Sequence, residues 1–205
     1  MEQKTEERIR KELAKDFHDE MGSKLASLTV FAGLLNKSLT TENRAVGELA
    51  NKIETNSKEI FQNTRDFIWA MDSDNGDLDA VFCYLKDFGE NLFENSGISF
   101  KACVSSKIVK NYKVPLTASR QLILIFKEAM TNALKHSRCR FVYFMLEESN
   151  GEFELVIKDD GKGFEFGRVC SSNGLKNMRA RAANAGFKYS FRTMENFGTE
   201  IRLGF

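Results

Sequence analysis

The N-terminal part of the sequence contains two long stretches in which apolar residues recur every three or four positions. Charged residues separate them, and the sequence has a single proline, Pro115, which lies far downstream. Side chains three and four residues apart share one side of an α-helix, so each stretch predicts one long amphipathic helix. The apolar positions are Ile9, Leu13, Phe17, Met21, Leu25, Leu28, Leu35 and Leu39 within residues 5–39, and then Val46, Leu49, Ile53, Ile60, Phe67 and Ala70.

The second stretch has the spacing of a coiled-coil seam, because its positions alternate between steps of three and four residues. Asn56 and Asn63 lie in that seam, where polar residues either specify register and helix number or are simply tolerated. The polar break at residues 40–43 predicts that the second helix returns along the first. Since a lone two-helix hairpin leaves apolar stripes uncovered, we expect a homodimer that forms a dimeric four-helix bundle.

A turn-rich segment, DSDNGD at residues 72–77, interrupts this pattern. We place the domain boundary there, which gives a helical hairpin over residues 1–72 and a second domain over residues 73–205. The second domain mixes helices and strands without regular β-α-β spacing, which predicts an α+β sandwich with helices on one face of a mixed sheet. The predicted helices are Leu78–Asn95, Leu116–His136 and Gly174–Ala185, and the predicted strands are Ile98–Val104, Arg140–Glu147, Glu152–Lys158, Phe187–Arg192 and Glu200–Leu203.

Charge and cysteine content argue against several functional classes. Thirty basic and twenty-nine acidic residues give a net charge of +1, so no overall field favours nucleic acid as a partner. Four scattered cysteines and two histidines form no metal-binding pattern, and we interpret the cysteines as reduced thiols of a cytoplasmic protein. The N-terminus is charged and no apolar run reaches eighteen residues, so we expect no membrane contact by this segment.

Four polar residues lie within about two turns of the predicted helix 116–136, namely Glu128, Asn132, Lys135 and His136. Their spacing predicts that they share one side of that helix. A carboxylate and an amide oxygen suit Mg²⁺, which binds few protein groups and usually contacts phosphates at the same time. Lys135 could meet a phosphate as a point charge.

Two glycine-rich segments follow. Asp159 ends an apolar strand and precedes Gly161 and Gly163, which allow backbone to approach a ligand closely. The Asp159 carboxylate can accept a hydrogen bond from an exocyclic amine such as that of adenine. Gly174 lies where a loop delivers the start of a helix, whose free N–H groups favour phosphate. Each motif alone is also typical of an ordinary tight turn.

Taken in order, four motifs resemble the Bergerat-type ATP-binding domain shared by gyrase, histidine kinases and MutL. They are EAMTNALKH at 128–136, DDGKGF at 159–164, NGLKNM at 173–178 and GTEI at 198–201. The resemblance implies that ATP and Mg²⁺ bind here, with Asn132 and Glu128 at the metal and Asp159 at the adenine. It assigns the nucleotide to Asn132, Lys135, His136, Asp159, Gly161, Gly163, Gly174, Leu175, Gly198 and Thr199.

The segment FHDEMG at residues 17–22 resembles the phosphoacceptor box of histidine kinases of the nitrate-sensor and membrane-fluidity-sensor subfamily. Phe17 lies on the apolar stripe, so His18, about 100° further round the helix, points towards solvent. Ala14 and Gly22, one turn away on either side, are too small to block it. The resemblance implies that His18 accepts the phosphoryl group and that Asp19 acts as its base.

The resemblance therefore implies an ATP-dependent protein histidine kinase of a two-component system. His18 would be autophosphorylated and the group passed to an aspartate in the receiver domain of a response regulator. The chain would be the cytoplasmic part of a sensor whose full length is membrane-anchored. Many subfamily members carry glutamine four residues after the aspartate, where it positions water for dephosphorylation; here Ser23, with its shorter side chain, stands there and argues against phosphatase activity.

Three other hypotheses explain parts of the sequence. A non-catalytic scaffold would keep the fold, but Asn132, Asp159 and the glycines are intact. An anti-sigma-type serine kinase shares the ATP domain but does not need a helical hairpin that carries His18. A DNA-dependent ATPase of the gyrase or MutL type fits poorly with a short chain of nearly zero net charge.

Overall fold

The computed structural model describes residues 21, 24, 26–28, 30–35, 43–71, 77–104, 112–149, 152–164 and 173–205. The chain divides into two compact units, Met1–Met71 and Asp72–Phe205. The predicted phosphoacceptor His18, its predicted base Asp19 and the residue Ser23 lie outside the described residues.

The first unit is helical. Its described residues between 21 and 35 are helical, and α1 spans Asn43–Met71. The hydroxyl of Thr64 lies 3.8 Å from the sulfur of Met21, and Lys52 lies 5.7 Å from the centre of the Phe31 ring. Met21 therefore contacts a late residue of α1, whereas Phe31, further along the first segment, contacts an earlier one. This order shows that α1 runs antiparallel to the first helical segment, as the sequence predicts.

The apolar seam of α1 is only partly covered within this single chain. Ala70 is buried, whereas the other seam positions from Val46 to Phe67 are half-buried. Ile68 beside the seam is 63% exposed, and Val30 on the first helical segment is 58% exposed. The hairpin therefore presents apolar surface that its own two helices do not cover.

The second unit contains three α-helices and five strands among its described residues. The strands form one sheet in the order β1-β2-β3-β5-β4, in which β1 and β2 are parallel and all other neighbours are antiparallel. This is the mixed sheet that the sequence predicts. The elements are α2 (Leu78–Phe93), β1 (Ser99–Val104), α3 (Leu116–Asn132), β2 (Phe141–Ser149), β3 (Glu152–Asp159), α4 (Asn173–Asn184), β4 (Lys188–Met194) and β5 (Gly198–Gly204).

The helices pack on the sheet through a closely packed apolar core. Helix α3 lies between α2 and α4 and contacts β3, while α2 reaches β1 and α4 reaches β4. Phe126 of α3 packs on Phe144 of β2 with ring centres 5.4 Å apart, and both side chains are fully buried. Burial of such side chains contributes roughly 1.5–3 kcal/mol each, so α3 is firmly seated on the sheet.

The end of α3 departs from the predicted regular helix over Leu116–His136. The α-helix ends at Asn132 and continues as one π-helical turn, Ala133–Ser137, after which Arg138 has a left-handed backbone with φ of 56°. The Ser137 hydroxyl donates to the Ala133 carbonyl over 2.6 Å and accepts the Cys139 N–H over 3.0 Å. A π turn holds an extra residue per turn, so the residues after Asn132 are rotated relative to those of a regular helix.

Among the described residues, no helix has both the length and the apolar character needed to cross a bilayer. Cys83, Cys103 and Cys139 are free thiols.

Candidate nucleotide-binding site

A cavity of about 450 Å³ opens beside α3, where the helix faces the end of β3 and the start of α4. Ligand pockets commonly have volumes of about 300–1,000 Å³ with apolar walls and a few polar groups. The cavity has this character. Its lining residues are Glu128, Ala129, Asn132, Ala133, His136, Ser137, Ile157, Asp159, Gly163, Phe164, Gly174, Leu175, Met178, Phe191, Thr199 and Ile201.

The cavity brings together most of the predicted site residues. Those that line it are Glu128, Asn132, His136, Asp159, Gly163, Gly174, Leu175 and Thr199. Lys135, Gly161 and Gly198 are not in its wall. Lys135 lies in the π turn, where residues are rotated relative to those of a regular helix. The sequence pattern assumed a regular helix there.

Asp159 is the most buried acidic side chain of the cavity wall, with 6% exposure. It ends β3 on the face towards the helices, and Thr199 of β5 lies directly opposite it. Its Oδ1 accepts the backbone N–H of Gly161 over 2.9 Å. Burial raises the pKa of Asp159 above its ordinary value, although hydrogen bonds from the N–H groups of Gly161 and Thr199 oppose the shift. The cavity thus holds a partly desolvated acceptor.

Asp160, the next residue, has a different role that the sequence pattern does not reveal. Its Oδ1 accepts the N–H groups of Arg140 and Phe141, each over 2.8 Å, so it ties the end of β3 to the start of β2. The small burial of this carboxyl would raise its pKa, but the N–H groups of Phe141 and Arg140 outweigh that effect and the pKa is lowered. Asp160 is exposed and holds backbone together.

Two further polar side chains of the cavity, Glu128 and Asn132, lie next to Gly174 at the start of α4. The Asn132 side-chain amide donates to Oε1 of Glu128 over 3.3 Å, as one turn of helix allows. A Cβ on Gly174 would lie 2.5 Å from the same Oε1, so a larger residue at the start of α4 would displace the end of the Glu128 side chain. The amide oxygen of Asn132 and the carboxylate of Glu128 are therefore neighbouring oxygen groups to which a cation could bind.

The glycine loop after Asp159 is held against two parts of the chain. The Lys162 N–H donates to the Ser137 carbonyl over 2.8 Å, and the Lys162 carbonyl accepts the Asn196 N–H over 2.6 Å. Gly163 has φ of 53°, and a Cβ there would overlap the Met194 carbonyl. Ser137 was missed by the sequence pattern, because a serine at a helix end carries no specific signal.

These residues fit a nucleotide with a divalent cation. The cavity is large enough for a base and sugar, Asp159 supplies an acceptor for an amino group, and Asn132 and Glu128 offer two oxygens. No group of three or more His, Cys, Asp or Glu side chains able to hold a metal occurs in the described part of the chain. A two-ligand oxygen site is suited to Mg²⁺, which retains water and binds phosphates.

Comparison with known proteins shows which family this chain resembles. The model of the family described as histidine kinase matches residues 10–76. The sensor histidine kinase LnrJ of Bacillus subtilis is 28% identical over 96% of this chain and 47% of its own length. The signal transduction histidine-protein kinase/phosphatase DegS of Brevibacillus brevis is 25% identical over 96% of this chain and 50% of its own length. The chain thus spans about half the length of these curated relatives.

Solved structures share the fold at low sequence identity. The histidine kinase domain of the blue-light activated kinase of Erythrobacter litoralis EL346 aligns over 88% of this chain and 94% of that domain, with a TM-score of 0.56 and 13% identity. The Acinetobacter baumannii histidine kinase AdeS aligns over 87% of this chain and 93% of its own, with a TM-score of 0.57 and 14% identity. The helical hairpin thus matches the histidine kinase family, the chain is similar in sequence to sensor histidine kinases such as LnrJ and DegS, and its fold is that of the two solved histidine kinases.

Proposed function

We propose that this chain is the ATP-dependent kinase core of a two-component system, which phosphorylates His18 and transfers the phosphoryl group to an aspartate of a response regulator. The single observation that best supports this proposal is the buried Asp159 carboxylate in a cavity that also contains Asn132 and Glu128. The family match to residues 10–76, which include His18, adds the acceptor. ATP is the donor that such a site suits.

The proposed division of roles follows the chemistry of the lining. Asp159 and Thr199 bind the adenine, with apolar side chains such as Ile157 and Met178 against its faces. Asn132 and Glu128 hold Mg²⁺, which supplies positive charge to the phosphates when bound. Gly174 lets the start of α4 approach the phosphates, where helix N–H groups favour negative charge. His136 lies in the cavity wall and Lys135 does not, so we assign phosphate contact to His136 first.

His18 would act as the nucleophile. A neutral imidazole has one nitrogen free to attack if the other is held as N–H, and Asp19 is the nearest carboxylate in sequence that could hold it. A general base contributes roughly 10²–10⁴ to a rate, whereas the acceptor is indispensable. Catalysis of the transfer itself would rest on alignment and charge stabilisation by the nucleotide site.

The kinase core would work as a homodimer. Val30, Leu34 and Ile68 are 58%, 45% and 63% exposed on the helical hairpin, and a second hairpin in a four-helix bundle would cover such surface. We further propose that the complete protein places this core in the cytoplasm as part of a membrane-anchored sensor.

The deciding experiment incubates the chain with γ-labelled ATP and Mg²⁺ and then treats the product with acid or base. We expect label that is lost in acid and kept in base, as phosphohistidine requires. His18→Ala should abolish labelling while ADP binding persists, and Asp19→Asn should slow it by roughly 10²–10⁴. Label in His18→Ala, or acid-stable label, would reject the histidine kinase in favour of a serine kinase. ADP binding without any labelling of the wild type would favour the scaffold.

Phosphatase activity is a separate question, because DegS is described as both kinase and phosphatase. We propose that this chain is a weak phosphatase, since Ser23 offers a shorter side chain than glutamine for positioning water. Adding the phosphorylated response regulator measures this directly. Rapid dephosphorylation that Ser23→Ala removes would contradict the proposal, and an increased rate in Ser23→Gln would support it.

A further inference from the structure

Three side chains lie side by side across three strands next to the cavity. Thr193 of β4 lies directly opposite Thr199 of β5, and Thr199 lies directly opposite Asp159 of β3. Asp159 and Thr199 line the cavity, whereas Thr193 lies behind them and is half-buried. Thr193 belongs to none of the motifs that the sequence analysis singled out.

Thr193 has hydrogen-bond partners on both sides. Its Oγ1 accepts the backbone N–H of Phe164 over 3.2 Å, and it lies 3.2 Å from the carbonyl oxygen of Gly198, to which it donates. Its Oγ1 also lies 3.4 Å from Oγ1 of Thr199. A hydroxyl group has one proton and two lone pairs. The carbonyl oxygen of Gly198 can only accept, so the arrangement that satisfies all three contacts has Thr193 donating to Gly198 and Thr199 donating to Thr193.

This arrangement determines what Thr199 offers to the cavity. With its proton directed towards Thr193, the Thr199 hydroxyl has lone pairs left for a ligand. Asp159 beside it is a carboxylate whose Oδ1 already accepts the Gly161 N–H, and it too can only accept while ionised. The wall around these two residues therefore presents neighbouring acceptors.

We propose that Thr193 is a positioning residue that directs the Thr199 hydroxyl, and thereby makes the base site select an amino group over an oxo group at the recognised position. This inference rests on the proposed nucleotide function. Leaving an acceptor opposite another acceptor costs binding free energy, so a base with an oxo group at that position is disfavoured. Without the Thr193 hydroxyl, Thr199 could rotate and donate to an oxo group.

The test compares ADP with IDP, which carries an oxo group where ADP carries an amino group. Binding of both to the full chain is measured by calorimetry. We expect wild type to prefer ADP by at least about tenfold, and Thr193→Val to reduce that preference by about fivefold, the effect of roughly one hydrogen bond. Valine keeps the shape of the side chain and suits the edge strand β4.

Matched variants distinguish an effect of the Thr193 hydroxyl on base preference from destabilisation of the fold. Thr193→Ser keeps the hydroxyl and should retain the wild-type preference, and Thr117→Val, on the first turn of α3 and outside the cavity wall, should do the same. Thr193→Ala also removes the hydroxyl but adds no methyl group in its place, so it should lower the preference for ADP by about as much as Thr193→Val. Melting temperatures establish that each variant is folded.

The outcomes distinguish this inference from the function on which it rests. A wild type that prefers ADP, together with folded Thr193→Val and Thr193→Ala variants of unchanged preference, would reject the role of Thr193 alone. A wild type that binds neither nucleotide would reject the nucleotide site itself, and the role of Thr193 with it. A reduced preference that serine restores would support both.

Discussion

Gly161 donates its backbone N–H to Oδ1 of Asp159 over 2.9 Å, so the turn that follows β3 orients the carboxylate that ends the strand. An ionised carboxylate has about four lone-pair positions, which leaves capacity for a ligand after this bond is made. The orientation of the proposed base-binding residue is thus built into three consecutive residues of the chain.

Asp159→Asn should weaken ADP binding by at least about tenfold. The amide that replaces the carboxylate is uncharged, and it places an N–H donor where the amino group of the base needs an acceptor. The amide oxygen can still accept the Gly161 N–H, so the loop should stay in place. Calorimetric titration with ADP measures the effect. Asp160→Asn is the matched control and should keep ADP affinity within about twofold; equal losses in both variants would contradict the assignment.

The raised pKa of Asp159 gives a prediction for the ligand-free protein. Burial disfavours the charged form, so at neutral pH Asp159→Asn should have a higher free energy of unfolding than wild type. As pH falls through the raised pKa, the native state takes up the proton before the unfolded state does, so wild type gains stability from this group. Urea unfolding at about pH 7 and about pH 4.5 should therefore show a shrinking advantage of the variant. An advantage that grows on acidification would refute this.

Asp160 should show the opposite pH dependence. Its pKa is lowered because the N–H groups of Phe141 and Arg140 outweigh its slight burial. The ionised carboxylate therefore stabilises the native state at pH values above the pKa of the unfolded state, and this stability is lost as pH falls through the lowered pKa. Asp160→Ala should reduce the free energy of unfolding by roughly 1 kcal/mol near neutral pH, since two backbone N–H groups lose their acceptor. The difference from wild type should vanish in strong acid. Chemical denaturation across that pH range measures it.

Gly163→Ala should destabilise the second unit by roughly 2–4 kcal/mol, because it combines a left-handed backbone with a Cβ that overlaps the Met194 carbonyl. Gly97 provides a matched control: its φ is +77°, but a Cβ there has nothing within 4 Å. Gly97→Ala should therefore cost only about 1–2 kcal/mol, the conformational term alone. Thermal unfolding of both variants gives the comparison, and equal costs would show that the contact with β4 is unimportant.

Asn132→Ala should remove most of the Mg²⁺ dependence of ATP binding. The amide oxygen of Asn132 is one of the two proposed Mg²⁺ ligands, and the side-chain N–H of Asn132 donates to Glu128 over 3.3 Å. ATP affinity measured with Mg²⁺ and with a chelator should differ by at least about tenfold in wild type and by much less in the variant. Asn91→Ala on α2 is the control for a surface asparagine. A Mg²⁺ effect that persists in Asn132→Ala would move the metal site elsewhere.

Some elements of the fold follow from local sequence patterns, and others do not. The strands β2 and β3 and the return of α1 along the first helical segment follow from alternation and three-four spacing, which are local properties. The π turn at Ala133–Ser137 does not, because its last residue, Ser137, accepts the Lys162 N–H of a loop that is distant in the chain. The placement of Lys135 outside the cavity wall follows from that turn.

The sequence alone determined the order of helices and strands and the chemistry available at Glu128, Asn132, Asp159 and the glycines, because these depend on spacing and side-chain type. Only the tertiary structure decided how the surroundings of two adjacent carboxylates differ. Asp159 is the last residue of β3 and is desolvated in the cavity wall, whereas Asp160 follows the strand and binds the N–H groups of Arg140 and Phe141. Likewise, the strand register alone brings Thr193 beside Thr199. Such selections depend on contacts between segments far apart in the chain, which local patterns do not encode.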